Sequence, residues 1–136
     1  MTNKPEERPP LNILLNQLEW NLDWLQQMGK NEPTDYFRDA LLQRFEFTFT
    51  TAIKCIQGAA LRSDPPGESP RECFQLAERM EWFPVGDLWQ DMVRDYENMK
   101  LGNYQESAAV VFTQFKQYRE GLKFLYDRLS ALPPKS

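Results

Sequence analysis

Large apolar side chains recur every three or four residues from Leu11 to Leu132, the spacing of one helix face, and nowhere alternate long enough for a strand. In the first segment Leu11, Leu14, Leu15, Leu18, Leu22 and Leu25 share one arc at about 100° per residue. That predicts a helix from near Pro10 to near Gly29, broken by Asn31 to Pro33. Phe37, Leu41, Phe45, Phe49, Ala52 and Ile56 mark a second stripe, capped by Thr34 or Asp35 and running to about Leu61. Residues 63–68, SDPPGE, read as a loop, because the paired prolines cannot donate backbone hydrogen bonds. Ser69-Pro70-Arg71-Glu72 then has the form of a capping box. The serine accepts from the amide three residues on, the glutamate reaches back, and Pro70 sits where a missing N–H costs nothing.

A short third helix is thus expected to end near Glu81, followed by an apolar connector, Trp82-Phe83-Pro84-Val85-Gly86. A fourth runs from about Asp87 to Met99, with Leu88, Met92, Val93, Tyr96 and Met99 inward. After a turn around Gly102 the last helix, about Gln105 to Leu132, carries the cleanest stripe: Ala108, Val111, Phe115, Tyr118, Leu122, Leu125, Leu129 and Leu132. Helices joined by brief loops imply an all-α fold, an up-and-down four-helix bundle with an additional short helix. The expected organisation is a disordered tail over 1–9, one bundle over 10–132 and a short tail over 133–136.

None of the 136 residues is histidine. Ser-His-Asp and Cys-His systems are therefore removed, and so are most zinc sites, which two distant cysteines cannot complete. Cys55 and Cys73 fall in apolar helical stretches and read as packed, reduced thiols. No Gly-rich phosphate loop is present. Asp87, Asp91, Asp95 and Glu97 crowd the fourth helix as a solvated face, so neither a metal nor a cofactor is expected. A net charge of −4 argues against general nucleic-acid binding. No apolar run nears the ~18 residues of a membrane span. Residues 1–10 lack a signal peptide's apolar stretch, and a cytoplasmic chain is expected.

Some large apolar residues lie off the inner stripes. Ile13, Trp20 and Trp24 share an arc opposite Leu18, Phe47 points away from both Phe45 and Phe49, and Phe124 stands away from Leu122. Wide apolar arcs inside one bundle are the plain reading. A subunit or partner interface is the sharper one, since tryptophans are enriched among interface anchors.

Gln43-Arg44-Phe45-Glu46-Phe47-Thr48-Phe49, followed by Ala52 and Lys54, resembles the second-helix signature of the nucleotidyltransferase substrate-binding-protein-like family, within the wider HEPN group of helical bundles. Ser69 to Glu72 matches the next block, Trp89 follows with Asp91-Met92 just beyond, and the long last helix closes the pattern over roughly residues 11 to 131. The resemblance implies a dimeric four-helix bundle encoded beside a minimal nucleotidyltransferase that carries the catalytic carboxylates. It implies either a substrate-binding subunit or a ribonuclease toxin restrained by that enzyme.

Active members carry an arginine, a polar residue and a histidine before the last helix, with a tyrosine two residues on. Aligning on Asn98 and Tyr104 puts Glu97 at the arginine and Gly102 at the histidine; aligning on Arg94 puts Met99 at the histidine. Imidazole moves protons near neutral pH, which glycine and methionine cannot do. Tyr104 has too high a reference pKa to replace it. Thr50 and Ile53 also stand where a glutamate and a tryptophan are usual.

The expectation is a non-catalytic, homodimeric subunit that binds the minimal nucleotidyltransferase through a degenerate groove. Arg44, Glu46, Lys54, Arg94, Glu97, Asn98 and Tyr104 would line it and bind a nucleotide or the partner, with Ile13, Trp20, Trp24, Phe47 and Phe124 at interfaces. Arg44 and Glu46 stand about 200° apart and cannot pair with each other; Arg44 lines up with Thr48, Thr51 and Cys55. The alternative is a HEPN-type ribonuclease toxin with an altered site, in which Arg94 stabilises phosphate charge and Tyr104 or Glu97 handles protons. By the same resemblance, Tyr104 matches a tyrosine that accepts adenylyl groups from the partner enzyme.

Overall fold

The structure is a computed structural model that describes residues 10–28, 35–60, 69–102 and 104–132, without the side chains of 35, 104, 105, 107 and 108. The expected tails, the break at 31–33 and the 63–68 loop lie outside the described residues. Five helices follow in order: α1 Leu11–Met28, α2 Asp35–Ala60, α3 Pro70–Arg79, α4 Leu88–Lys100 and α5 Tyr104–Ser130. The described residues contain no strand, and the fold is all-α.

Contacts between helices fix their directions. Gly58, late in α2, lies against Leu11 and Leu14, early in α1, so these two run antiparallel. Phe49 stacks on Tyr96 and Glu46 meets Lys100, so α4 opposes α2. Gly121 faces Leu88 and Tyr118 bonds Asp95, so α5 opposes α4. Arg38 over Phe112 and Phe45 beside Tyr118 make α2 and α5 parallel. The chain thus goes up, down, up and down through α1, α2, α4 and α5, with α3 packed between α2 and α4.

The apolar stripes meet in the centre. Leu14, Leu18 and Leu25, Leu42, Phe45, Phe49 and Ile56, and Tyr118, Leu122 and Leu125 are all fully buried. Through them runs a column of rings, with Phe49–Phe74 at 5.6 Å and Phe74–Phe83 at 5.2 Å between centroids. Burying each such large apolar side chain contributes roughly 1.5–3 kcal/mol, so the meeting stripes and this column together are the main source of cohesion. Leu25, Leu41 and Phe115 form a smaller cluster near the end of α1.

Both ends of α3 are set by local chemistry. Ser69 Oγ accepts from the Glu72 amide at 3.1 Å, and Glu72 Oε1 accepts from the Ser69 amide at 3.4 Å, the predicted capping box. The helix stops at Arg79 rather than Glu81, because Glu81 takes the left-handed conformation, φ 65. The Glu81 and Trp82 amides donate back to Glu78 and Ala77 carbonyls at 3.0 and 2.7 Å, completing a Schellman motif. This reversal drops Trp82 and Phe83 into the core, so the expected connector is half core, and only its end, with Val85, is exposed. Leu88 and Tyr96, expected inward, sit at the rim and are half-buried.

Candidate functional site: an arginine among exposed rings

Ile13, Trp20 and Trp24 fall on one face of α1, and Phe47 projects from α2 beside them. All four are exposed, at 42%, 55%, 42% and 54%. Trp20 and Trp24 meet edge-on at 5.9 Å, as residues one helical turn apart can. Arg44 lies among the rings, its guanidinium carbon 5.2 Å from the Trp20 centroid, 5.3 Å from Trp24 and 6.0 Å from Phe47. An arginine over aromatic faces at this range is held by the ring quadrupoles.

One residue missed by sequence reasoning fixes the arginine. Asn21 is buried, donates through Nδ2 to the Gln17 carbonyl at 2.8 Å and accepts from Arg44 Nη1 through Oδ1 at 2.9 Å. The first bond sets which way the amide points, and the second sets the guanidinium. The signal was available: Asn21 is a polar residue in register with Leu14, Leu18 and Leu25. Arg44 makes no ion pair among the described residues. Beside it opens a pocket of about 420 Å³ lined by Trp24, Met28, Ala40, Gln43, Arg44 and Phe47.

The polar stripe expected next to Arg44 does not extend this pocket. Thr48 and Thr51 are buried and turn their hydroxyls onto their own helix, to the Arg44 carbonyl at 2.6 Å and the Phe47 carbonyl at 2.8 Å. Cys55, further along, is buried, and desolvation pushes its thiol up to about 12. These groups face the core.

The other expected groove residues stand on a different face. Glu46 accepts from Lys100 Nζ at 2.7 Å, and Glu97 pairs with Arg71 at 3.1 Å. Arg94 is held by Asp91 at 3.2 Å and by Asp95 at 3.6 Å. Asp95 is buried and accepts from the Tyr118 hydroxyl at 2.5 Å, tying α4 to α5. Asn98 is half-buried and Lys54 exposed. The side chain of Tyr104, which opens α5, lies outside the described residues. The expected groove is therefore divided: Arg44 belongs to the α1–α2 face, Glu46 and Glu97 to ion pairs that join α4 to α2 and α3, and Arg94 to carboxylates of its own helix. Arg94 already has two carboxylates, which would compete with any phosphate.

Phe124 is also separate from the tryptophans. It is half-buried under Arg128, whose guanidinium lies 5.0 Å from its ring. It lines a groove of about 290 Å³ with Pro84, Leu88, Gln117, Glu120 and Gly121. Among the described residues, no group of three or more Cys, Asp or Glu side chains is placed to hold a metal ion. No helix among them is long and apolar enough to cross a membrane.

Comparison with known proteins agrees with this architecture. Residues 11–131 match a family model described as nucleotidyltransferase substrate binding protein like. A crystal structure of a protein from Thermus thermophilus superposes with a TM-score of 0.70 at 25% identity, covering 82% of this chain and 98% of that one. No curated protein matches the sequence.

Proposed function

The chain belongs to the nucleotidyltransferase substrate-binding-protein-like family, and from that we propose that it is the non-catalytic helical subunit of a pair, binding a minimal nucleotidyltransferase that performs the chemistry. The observation that carries this reading is a family match over residues 11–131 in a chain with no histidine. Imidazole is the side chain whose ordinary pKa best suits proton transfer near neutral pH, and the sequence contains none. The pairing of Arg94 with Asp91 and Asp95 supports the same reading, because it engages the cation a ribonuclease would need.

In this proposal the charged face of α2 and α4, with Glu46, Lys54, Arg94, Glu97 and Asn98, receives the enzyme. Ile13 and Trp20, exposed along α1, are where a second copy of the chain packs; apolar patches of this kind mark interaction surfaces. The test is co-expression with a tagged nucleotidyltransferase encoded beside this chain. The untagged chain should be retained through purification, and weakened retention is expected for Lys100→Glu combined with Arg94→Glu. An enzyme that purifies alone overturns the proposal.

A further inference from the structure

We propose that the groove between α5 and the chain leading into α4 is a docking point for a partner protein, which inserts an arginine side chain there. The groove has a volume of about 290 Å³ and is lined by Pro84, Leu88, Gln117, Glu120, Gly121 and Phe124. That is at the lower limit for a small-molecule site and matches a single anchor side chain. Gln117, Glu120, Gly121 and Phe124 recur at helical spacing and form one stripe along α5. Gly121 lets the opposite wall approach, since a Cβ there would stand 2.8 Å from Leu88 and from Phe83.

The lining carries one charge, the Glu120 carboxylate, and one side-chain amide, that of Gln117. Both are exposed, and neither side chain makes a hydrogen bond or ion pair among the described residues. An unpaired carboxylate between apolar walls is complementary to a cation on an apolar stem. A guanidinium fits better than an ammonium. It pairs with a carboxylate through two parallel hydrogen bonds, stacks on an aromatic face and keeps further donors for the Gln117 carbonyl. Phe124 already attracts one guanidinium, that of Arg128, 5.0 Å from its ring, and Arg128 does not itself line the groove. The aliphatic stem of the incoming arginine lies along Pro84 and Leu88. Asp87, exposed beside Leu88 and without a side-chain cap hydrogen bond, adds negative potential at the rim. Val85, 85% exposed beside Pro84, extends the apolar surface on which residues flanking the arginine pack. A free small cation would remain largely hydrated at this exposed edge, whereas a protein segment covers the pair and excludes water. Leu88 and Glu97 stand about 180° apart on α4, so the groove faces away from the side proposed for the enzyme and does not depend on that partnership.

The experiment is NMR titration of the full chain with the peptide acetyl-Gly-Leu-Arg-Leu-Gly-amide, with versions carrying lysine or citrulline in place of arginine, and with agmatine. The arginine peptide should saturate at or below millimolar concentration and shift the Gly121 amide and Gln117 side-chain signals. Citrulline keeps the shape without the charge and should bind at least about tenfold more weakly, with lysine in between. Glu120→Gln, at an exposed position, should keep the circular dichroism of the native chain and weaken the arginine peptide by about tenfold. Asp39→Asn, near the start of α2, should leave binding unchanged. Absence of saturation overturns the proposal, as does binding that survives Glu120→Gln or is equally strong with citrulline or lysine. Agmatine binding as tightly as the peptide also overturns it, because the occupant would then be a free cation and not a partner segment.

Discussion

Tyr118→Phe removes one oxygen from the centre of the bundle and nothing else. The ring is 1% exposed and packs on Phe45, contacts that phenylalanine keeps, so no cavity forms. What is lost is the 2.5 Å bond from the hydroxyl to Asp95, whose carboxylate is 3% exposed and, among the described residues, keeps Arg94 at 3.6 Å. A hydrogen bond to a charged group contributes about 1.5–3 kcal/mol, and an orphaned buried acceptor brings the cost to the upper part of that range. For a chain of this length the melting temperature should fall by roughly 5–12 °C. Urea unfolding of Tyr118→Phe, Asp95→Ala and the double variant would measure the coupling directly. Interaction energy below about 0.5 kcal/mol would show that the short contact between α4 and α5 does not stabilise the fold.

Burial pushes the thiols of Cys55 and Cys73 up to about 12 and about 11 and holds the Tyr118 hydroxyl above the usual tyrosine range. The folded chain therefore keeps these protons longer than the unfolded one, so their contribution is full below the ordinary thiol value of 9.0 and is lost as pH rises above it. The urea midpoint should drop between pH about 8 and about 10.5, and Cys55 should resist thiol reagents until the chain unfolds. Gly121→Ala would set a Cβ 2.8 Å from Leu88 Cδ2 and from Phe83 Cζ. Leu88 can swing aside but buried Phe83 cannot, so overpacking outweighs the helix gain by about 1 kcal/mol. Gly58→Ala places its Cβ in ordinary contact, 3.5 Å from Leu11, and should stabilise by up to about 1 kcal/mol in the same thermal scan. Ser69→Ala should cost about 1 kcal/mol by removing the α3 cap, while Ser69→Asp, which keeps an acceptor, should cost less.

The helices were legible because periodicity is a local property: Leu14, Phe45 and Leu122 repeat at a spacing that only one kind of element buries. The capping box at Ser69 was equally local. The Schellman turn at Glu81 was hidden, since it relies on a left-handed conformation that glycine usually signals and glutamate does not. The candidate site was less readable for a geometric reason. Periodicity along α2 places Arg44 and Glu46 on different sides of the helix but does not say which neighbour each side meets. The groove reading gathered residues by resemblance, and the bundle separates them, Arg44 to α1 and Glu46 to α4. Thr48 and Thr51 looked like a polar lining because residue type alone does not reveal that a hydroxyl has returned to its own helix.

The central claim is that binding replaces turnover in this bundle, and incubation of purified chain with RNA at neutral pH tests it most directly. Transcripts should remain intact over hours at stoichiometric protein, with wild type and Arg94→Ala indistinguishable. Cleavage by the wild type that disappears in Arg94→Ala would contradict the claim and identify an active ribonuclease working without histidine.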